Sequence, residues 1–260
     1  MTEQASDLPE HVRANREAWD RYAADYEAPA YRHWAATEAT WGIFHVPESE
    51  VRMLPDDLTG KDTIDLGCGT AYVSAWLARR GARPVGIDNS PKQIETARRC
   101  QAQFGIDFPI VLGNAEELPF PDASFDLAIS EYGACLWADP DRWVPEAARV
   151  LRPGGRLAFL TNSLLMYLTV PQLEGEATMS LQRPQFGMGR TDWGLDASIE
   201  FHLSHSGWID LLHRSGLDVE RLVELRAPDG DLDEVVDDMA SRRWARQWPV
   251  EEIWIARRLA

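Results

Sequence analysis

The chain has 260 residues, of which 45% are hydrophobic, so it can bury the core of a single domain with added segments. It carries 42 acidic against 26 basic residues and a formal net charge of −16 at pH 7. Because contacts to nucleic-acid phosphates require clustered lysine and arginine, this composition argues against a DNA or RNA substrate.

We expect the N-terminal segment, residues 1–55, to form a helical cap, and its part from 31 to 53 is dense in aromatic side chains. Apolar and aromatic positions between Pro9 and Pro29 recur near helical spacing, which predicts one helix that ends before Pro29. Flat side chains in residues 31–53 suit the wall of a pocket for an aromatic ligand, and a hydrophobic cluster without a ligand is the alternative. The candidates for such a wall in this segment are Trp34, Trp41 and His45.

The stretch 61–89 predicts a strand, a glycine turn, a helix and a second strand. Residues 63–66 form a short apolar run, residues 71–80 are amphipathic and are followed by Gly81, and residues 84–87 are again apolar. The glycines of the turn let backbone N–H groups approach a ligand, and the helix behind them presents unpaired donors to negative charge. We therefore expect a nucleotide-binding edge here.

Two features of this stretch distinguish between cofactor classes. Gly67 and Gly69 lack the third glycine of a dinucleotide-binding turn, because Tyr72 stands three residues after Gly69. Asp65, beside the turn, would repel a pyrophosphate but would pair with a ligand ammonium group. Asp88, at the end of the second strand, can accept both hydroxyls of a ribose. A zwitterionic amino-acid nucleoside fits these residues better than a dinucleotide, and a nicotinamide dehydrogenase stays an alternative because it shares the sheet.

The rest of the chain predicts further strands and helices of the same sheet. We expect a helix over 91–104, strands over 108–112 and 126–130, a helix over 143–151, a tight turn at 153–155, a strand over 156–160, a helix over 206–215, a sixth strand over 217–225 and a last strand over 252–256, antiparallel beside the sixth. The strand over 108–112 delivers Asn114 to the edge that carries Gly67 and Asp88, which is where open α/β sheets bind ligands.

Residues 163–203 interrupt this pattern with several turns and little sustained periodicity, so they form either an inserted lid or a partner surface. Inserted loops over strand ends usually carry specificity. His202 and His205 end the segment without a partner at zinc-like spacing, so we expect no metal site. The acidic stretch 229–238 predicts a solvated loop and helix face.

The motifs occur in an order that resembles the class I S-adenosylmethionine-dependent methyltransferases, and within them the small-molecule branch that includes ubiquinone and menaquinone biosynthesis. The resemblance covers roughly residues 60–162 and rests on D-L-G-C-G-T at 65–70, the strand-end Asp88, the run 113–120 and L-R-P-G-G at 151–155. It departs from the family at Ala71, where a third glycine is common, and at Asn114, where an aspartate is usual. The amide oxygen of Asn114 can still accept a hydrogen bond from an adenine amino group.

Together with the predicted elements, the resemblance implies an α/β fold with a doubly wound, seven-stranded, mostly parallel, Rossmann-like sheet. We expect the helical cap in residues 1–55, the methyltransferase domain in residues 56–260, and a lid inserted after the fifth strand at about 163–203. The implied cofactor is S-adenosyl-L-methionine, with Asp65 and Gly67 at its amino-acid end and Asp88 at its ribose. The full set of expected cofactor-binding residues is Tyr22, Asp65, Gly67, Cys68, Gly69, Asp88, Asn89, Asn114, Ala115, Glu116 and Glu131.

Catalytic candidates are fewer. Glu131 follows the fourth strand, where by resemblance the family faces its substrate, so it is a candidate general base or polar anchor. A carboxylate at that position could instead bind the methionine amino group or cap a helix. His202 is the second candidate, although a lone histidine is more often a surface or capping residue. The expected substrate pocket is formed by Trp34, Trp41, His45, Tyr132, Met166 and Tyr167.

The predicted activity is transfer of a methyl group to a small, apolar or aromatic acceptor by in-line displacement, which requires positioning and exclusion of water more than acid–base chemistry. Alternatives are a non-catalytic S-adenosylmethionine-binding module and an enzyme that uses the sulfonium for other chemistry. No apolar run is long enough to span a membrane and the N-terminus is unlike a signal peptide, so we expect a cytoplasmic protein without membrane contact. The sequence leaves the acceptor, the methylated atom and the oligomeric state open.

Overall fold

The computed structural model describes residues 8–172, 175–194, 197–237 and 239–260. The helices are α1 Glu10–Tyr22, α2 Glu27–Ala35, α3 Glu48–Val51, α4 Tyr72–Arg79, α5 Pro91–Phe104, α6 Ala134–Trp137, α7 Pro140–Val150, α8 Leu164–Thr169, α9 His205–Arg214 and α10 Arg242–Ala245. The strands are β1 Thr40–Trp41, β2 Val46–Pro47, β3 Asp62–Leu66, β4 Arg83–Asp88, β5 Ile110–Leu112, β6 Phe125–Glu131, β7 Leu151–Asn162, β8 Arg190–Asp192, β9 Ile199–Phe201, β10 Leu217–Glu224, β11 Val235–Val236, β12 Ala240–Ser241 and β13 Glu251–Arg258.

Seven of these strands form one sheet in the order β10-β13-β7-β6-β3-β4-β5. Strands β3 to β7 are parallel to one another, whereas β13 lies between β7 and β10 and is antiparallel to both. The prediction of a doubly wound, mostly parallel sheet is confirmed, including the antiparallel last strand beside the sixth. The chain order reverses direction between β3 and β6, and a sheet of this kind binds ligands in the crevice at that point.

Helices cover both faces of the sheet, so its central strands are apolar on both sides. One face packs around Trp143, Phe159 and Trp208, and the other around Trp41 and Trp76. The helix behind β4 begins and ends as its sequence predicts. The hydroxyl of Ser90 accepts a hydrogen bond from the backbone of Gln93, and Gly105 ends α5 in the left-handed region, at φ +64°.

Two local predictions are wrong. The stretch from Pro9 to Pro29 forms two helices instead of one, and Pro29 lies inside the first turn of α2, where a missing N–H breaks no helical hydrogen bond. The expected turn at 153–155 lies within β7 as an interruption of its pairing with β6, with Gly154 at φ +80°. There the pairing shifts from the Phe125–Leu151 pair to the Leu127–Arg156 pair.

The acidic stretch also differs from its prediction. Among its described residues, 229–237, the structure contains the short strand β11 and no helix. Asp238 lies outside the described residues. Residues 163–203 contain α8 and the antiparallel pair β8–β9 in their described parts, and the assignment of this segment as a lid stays a prediction.

Candidate functional site

A cleft with a volume of about 160 Å³ lies at the carboxyl ends of β3, β4 and β6. Its floor is formed by the glycine turn and the strand ends, and its walls by α1 and α6. The residues that line it are Val12, Asn15, Arg16, Trp19, Tyr26, Asp65, Gly67, Cys68, Gly69, Thr70, Tyr72, Val73, Ile87, Asp88, Asn89, Ser90, Gln93, Gly113, Asn114, Ala115, Glu116, Glu131, Tyr132, Gly133, Ala134, Trp137 and Ala138. The cleft therefore combines a polar floor with aromatic walls.

The two glycines of the turn have different roles. Gly67 has φ +72°, and a Cβ on it would lie 2.6 Å from the backbone nitrogen of Ala134 and 2.7 Å from the Cα of Gly133. Such contacts require glycine, because both the conformation and the space exclude a side chain. A Cβ on Gly69 would meet no atom within 4 Å. Gly67 thus packs the turn against the start of α6, and Gly69 leaves the turn open.

Asp88 ends β4 with both carboxyl oxygens hydrogen-bonded to backbone. The N–H of Gly69 donates to Oδ2 and the N–H of Ser90 donates to Oδ1, each at 2.7 Å. Burial raises the pKa of Asp88 to about 6, against the lowering effect of these two donors. The carboxyl group is fixed in orientation, and each oxygen keeps lone-pair capacity for a ligand hydroxyl.

Asp65 lies buried below the turn. Its Oδ2 accepts hydrogen bonds from the hydroxyl of Ser74 at 2.8 Å and from the Ser74 backbone at 3.2 Å. Burial raises the pKa of Asp65 to about 7, and the neighbouring carboxyls of Glu131 and Asp88 add to this rise. Three acidic groups therefore share the floor of one cleft, and a cation bound there would relieve their repulsion.

Glu131 stands at the end of β6. The hydroxyl of Tyr72 donates to its Oε2 at 2.5 Å and the backbone N–H of Gly42 donates to its Oε1 at 3.1 Å. Burial raises the pKa of Glu131 to about 7, with both donors acting in the opposite direction. A carboxyl group with this pKa can exchange a proton near neutral pH.

Asn114 and Glu116 form the side of the cleft that follows β5. The amide oxygen of Asn114 accepts a hydrogen bond from the backbone of Glu116 at 3.0 Å. Oε1 of Glu116 accepts one from the backbone of Asp139 at 2.8 Å and lies 2.6 Å from Nε2 of His11. Its Oε2 is buried without a hydrogen-bond partner among the described residues, although the Arg142 guanidinium lies 3.3 Å away.

Helix α1 forms one wall of the cleft and is held by polar side chains. Nε of Arg16 donates to the backbone oxygen and the side-chain oxygen of Asn89, both at 2.9 Å. The amide of Asn89 donates to the backbone oxygen of Val12 at 2.7 Å. On the same helix, the ring of Trp19 makes edge contacts with Tyr26 and Trp137 at centroid distances of 5.2 Å.

The structure brings most of the expected cofactor residues together. Ten of the eleven line the cleft, and Tyr22 is the exception. Several lining residues were not predicted from the sequence, among them Asn15 and Arg16 on α1 and Trp137 on α6. Which face of these helices meets the cleft depends on packing against distant segments of the chain.

Of the expected substrate pocket, Tyr132 alone lies on the cleft. Trp34 and Trp41 are fully buried beside it. The indole N–H of Trp34 donates to the backbone of Thr70 at 2.8 Å, and that of Trp41 donates to Glu48 at 2.7 Å. These contacts hold the glycine turn and the N-terminal segment from behind. The structure therefore gives both tryptophans a supporting position and not a ligand-facing one.

The other expected pocket residues also lie elsewhere. His45 is exposed and its ring is 5.5 Å from that of His33. Met166 packs in a buried cluster with Phe44, away from the strand ends that carry the floor. Tyr167 stacks on His202 at a centroid distance of 4.3 Å.

His202, the second catalytic candidate, is buried and does not line the cleft. Its Nε2 lies 2.7 Å from a carboxyl oxygen of Glu200. Within the described ranges, no group of three or more histidine, cysteine or acidic residues is arranged to hold a metal ion. None of the helices in those ranges is both long and apolar enough to cross a membrane.

The comparison with protein families identifies the part of the chain that builds this floor. Residues 64–159 match the family described as "Methyltransferase domain". The matched stretch contains the glycine turn, Asp88 and Glu131. This part of the chain is similar to methyltransferase domains, and the match covers less than half of the 260 residues.

Curated relatives of the methyltransferase domain share this core. An uncharacterized methyltransferase of Mycobacterium tuberculosis is 38% identical over 117 residues, which cover 45% of each chain. A fatty-acid O-methyltransferase of Mycolicibacterium smegmatis is 39% identical over 101 residues, 38% of this chain and 36% of the relative. A demethylmenaquinone methyltransferase of Tropheryma whipplei is 38% identical over 99 residues, 38% and 40% of the two chains. The chain thus spans less than half the length of these relatives.

The fold extends beyond the matched core. The crystal structure of an S-adenosylmethionine-dependent methyltransferase from Mesorhizobium loti aligns with 81% of this chain and 96% of its own, with a TM-score of 0.64 and 24% identity. Geranyl diphosphate C-methyltransferase from Streptomyces coelicolor aligns with 97% of this chain and 99% of its own, with a TM-score of 0.64 and 15% identity. Both likenesses confirm the Rossmann-like methyltransferase fold.

The residues of the cleft fit the cofactor of this class, S-adenosylmethionine. Gly69 leaves open space where a side chain would stand, and Asp88 presents a fixed carboxyl at the end of β4. Asp65 and Glu131 add buried acidic groups that suit a ligand with a sulfonium and an ammonium group and would repel a pyrophosphate.

Proposed function

We propose that the protein transfers the methyl group of S-adenosylmethionine to a small, apolar or aromatic acceptor. The observation that carries the proposal is the composition of the cleft described above, which joins the acidic floor at Asp65, Asp88 and Glu131 to aromatic walls at Trp19 and Trp137. The name of one curated relative supports a small acceptor, since demethylmenaquinone is an apolar, aromatic molecule.

Each part of the floor has a proposed task. Asp88 accepts hydrogen bonds from the two ribose hydroxyls, Asp65 and the Gly67 turn hold the amino-acid end, and residues 114–116 hold the adenine. When bound, the cofactor supplies a methyl group already activated on a sulfonium. The protein then has to align the acceptor with that group and keep water away, and α1 with Trp19 closes the cleft for this purpose.

Glu131 is the proposed residue for the acceptor's proton. Its carboxyl is held by the hydroxyl of Tyr72 and the backbone of Gly42, so its direction is fixed. Its raised pKa, about 7, makes it a base at mildly alkaline pH. An acceptor that has already lost its proton would need Glu131 only as a polar anchor.

Calorimetry with purified protein tests the cofactor first. We expect S-adenosylmethionine and S-adenosylhomocysteine to bind, and NADH to give no heat of binding. Replacement of Asp88 by alanine should weaken cofactor binding by about 1–3 kcal/mol, because two hydroxyl hydrogen bonds to a buried carboxylate are lost. Glu95→Gln, which removes an exposed charge on α5, is the control and should leave binding unchanged.

The second step is a screen of small acceptors with radiolabelled methyl donor. A labelled product that disappears in Asp88→Ala supports methyl transfer. Cofactor binding without transfer to any hydroxyl, amine, thiol or carboxyl compound in the screen would favour a non-catalytic module. Binding of NADH alone would overturn the proposal.

A further inference from the structure

Two tyrosine–carboxyl pairs lie side by side at the end of β6. Tyr72 donates its hydroxyl hydrogen to Glu131 at 2.5 Å, and Tyr132 donates its hydroxyl hydrogen to Glu251 at 2.7 Å. Glu251 comes from β13 and is 1% exposed. Tyr72, Glu131 and Tyr132 line the cleft, and Glu251 lies behind Tyr132.

The loop between β1 and β2 fixes both carboxyl groups. The backbone N–H of Gly42 donates to Glu131 at 3.1 Å, and that of the next residue, Ile43, donates to Glu251 at 2.8 Å. The loop is pressed against Glu251, since a Cβ on Gly42 would lie 2.2 Å from its Oε2. Because each carboxyl binds one tyrosine and one backbone N–H, neither tyrosine hydroxyl is free to turn its hydrogen toward the cleft.

These bonds determine which hydrogen-bonding groups a ligand meets. A tyrosine hydroxyl whose hydrogen is already donated can only accept, and an ionised carboxylate can only accept. Tyr72, Glu131 and Tyr132 therefore present acceptors alone. Arg16 is the one lysine, arginine or histidine among the described lining residues, and its Nε is bonded to Asn89 beyond β4. Among the described lining side chains, this end of the cleft therefore has hydrogen-bond acceptors and negative charge, and no basic side chain lies beside them.

We propose that the methyl acceptor is an alcohol, phenol or amine whose O–H or N–H donates to Glu131, and that carboxylate and phosphate acceptors are rejected. This inference rests on the proposed methyl transfer and names its substrate class. An anionic acceptor would bring a second negative charge to a buried carboxylate and would offer it no hydrogen. A hydroxyl or amine supplies the missing donor.

The same geometry accounts for every atom of the transfer. The acceptor oxygen or nitrogen forms a bond to the methyl carbon while the bond from that carbon to sulfur breaks, and the sulfur keeps the electron pair. The proton of the acceptor passes to the carboxylate of Glu131. The products are a methylated acceptor, a neutral thioether and a protonated Glu131 that returns its proton to solvent when the products leave.

Matched aromatic probes test the proposal. Protein saturated with S-adenosylhomocysteine is titrated with 2-naphthol, 2-naphthylamine and 2-naphthoate at pH 8, where Glu131 is ionised, and binding is measured by calorimetry. We expect the naphthol or the naphthylamine to bind at least tenfold more tightly than the naphthoate. Glu131→Gln should reduce this preference to less than threefold, because it removes the charge. The control Glu95→Gln, an exposed charge on α5, should leave the preference intact.

Failure of the proposed substrate class and failure of the proposed function give different results in this experiment. Equal or tighter binding of naphthoate, or an unchanged preference in Glu131→Gln, would overturn the substrate class. So would the absence of binding by all three probes to protein that binds S-adenosylhomocysteine. Failure of S-adenosylhomocysteine itself to bind would instead overturn the proposed function. Tyr132→Phe gives a second measure, since it removes an uncharged acceptor. It should weaken binding of the naphthylamine, whose second N–H can donate to Tyr132, severalfold while naphthoate binding stays the same.

Discussion

The glycine-turn edge of the sheet and the segments that cover it are built by different kinds of contact. At the edge, Gly69, Asp88 and Ser90 meet through the ends of two adjacent parallel strands. In the cover, Asn15 of α1 reaches β9: its amide donates to the backbone oxygens of Trp137 and Ile199, and its oxygen accepts from the backbone of Ile199. The edge depends on neighbours within one βαβ unit, and the cover depends on residues far apart in the chain.

This difference separates the residues that we assign to the cofactor from those that we assign to the methyl acceptor. The floor that we assign to the cofactor is specified within the matched stretch of residues 64–159. The end that we assign to the acceptor is completed by residues from outside that stretch, namely Gly42, Ile43 and Glu251. Relatives that share only the core can therefore share the cofactor and differ in the acceptor.

The largest expected effect is at the edge. Gly67→Ala should destabilise the protein by about 3 kcal/mol, because it adds a left-handed alanine and an overlap with the backbone of Gly133 and Ala134. Gly69→Ala has a similar backbone cost but no overlap, so it should cost about 1 kcal/mol. Urea unfolding of both variants measures the difference. Equal losses would show that the packing of the turn against α6 contributes little.

Much of the edge could be predicted from the sequence because its signals are local. The strand expected over 63–66 is β3, the helix over 71–80 is α4, and the strand over 84–87 is β4, each within one residue of its predicted ends. A glycine turn between an apolar run and an amphipathic stretch leaves few other conformations. The position of Asp88 at the carboxyl end of β4 could be predicted from the same local signals.

The cover could not be predicted in the same way. Helical spacing between Pro9 and Pro29 does not reveal the break after Tyr22, since residues 23–26 form the connection that turns α2 toward the sheet. Richness in tryptophan also does not distinguish a pocket wall from a support. Trp34 was expected to face a ligand, but its indole bonds to Thr70 behind the turn. Only the three-dimensional packing shows whether a tryptophan faces a ligand or supports the fold.

A second prediction concerns the cover itself. Asn15→Ala should destabilise the protein by about 2 kcal/mol, since it leaves the buried N–H of Ile199 without its acceptor and removes two further hydrogen bonds. Hydrogen exchange should show faster exchange in α1 and β9 and unchanged exchange in β3 and β4. Loss of protection throughout the sheet would mean that the cover and the edge unfold as one unit.

A third prediction uses pH. Burial raises the pKa values of Asp65, Glu131 and Glu251 to about 7, above the ordinary carboxyl values that apply when the chain is unfolded. Between the ordinary carboxyl pKa values and about 7, the folded protein therefore binds more protons than the unfolded chain. Its free energy of unfolding falls as the pH rises toward and through 7. From pH 6.5 to 8 the free energy of unfolding should fall by roughly 1–2 kcal/mol in the absence of cofactor.

Denaturant unfolding at several pH values checks this expectation. The pKa of His33 is lowered by burial from 6.5 to about 4, so the unfolded chain still releases protons from this residue in the lower part of the window. This adds a small rise in stability of the opposite sign, which offsets part of the decline. The pKa of His205 is raised by its bond to Glu252, which adds a small change of the same sign as the decline. Glu131→Gln should make the decline shallower. A stability that rises over this range would contradict the buried charge cluster.

The smallest effect is expected at His202. Its ring stacks on Tyr167 and its Nε2 pairs with Glu200, both outside the cleft. His202→Gln should therefore lower the melting temperature slightly while cofactor affinity and the rate of methyl transfer change less than twofold. Activity measured beside a melting curve separates the two effects. A tenfold loss of transfer in a variant that melts like the parent would place His202 in the chemistry.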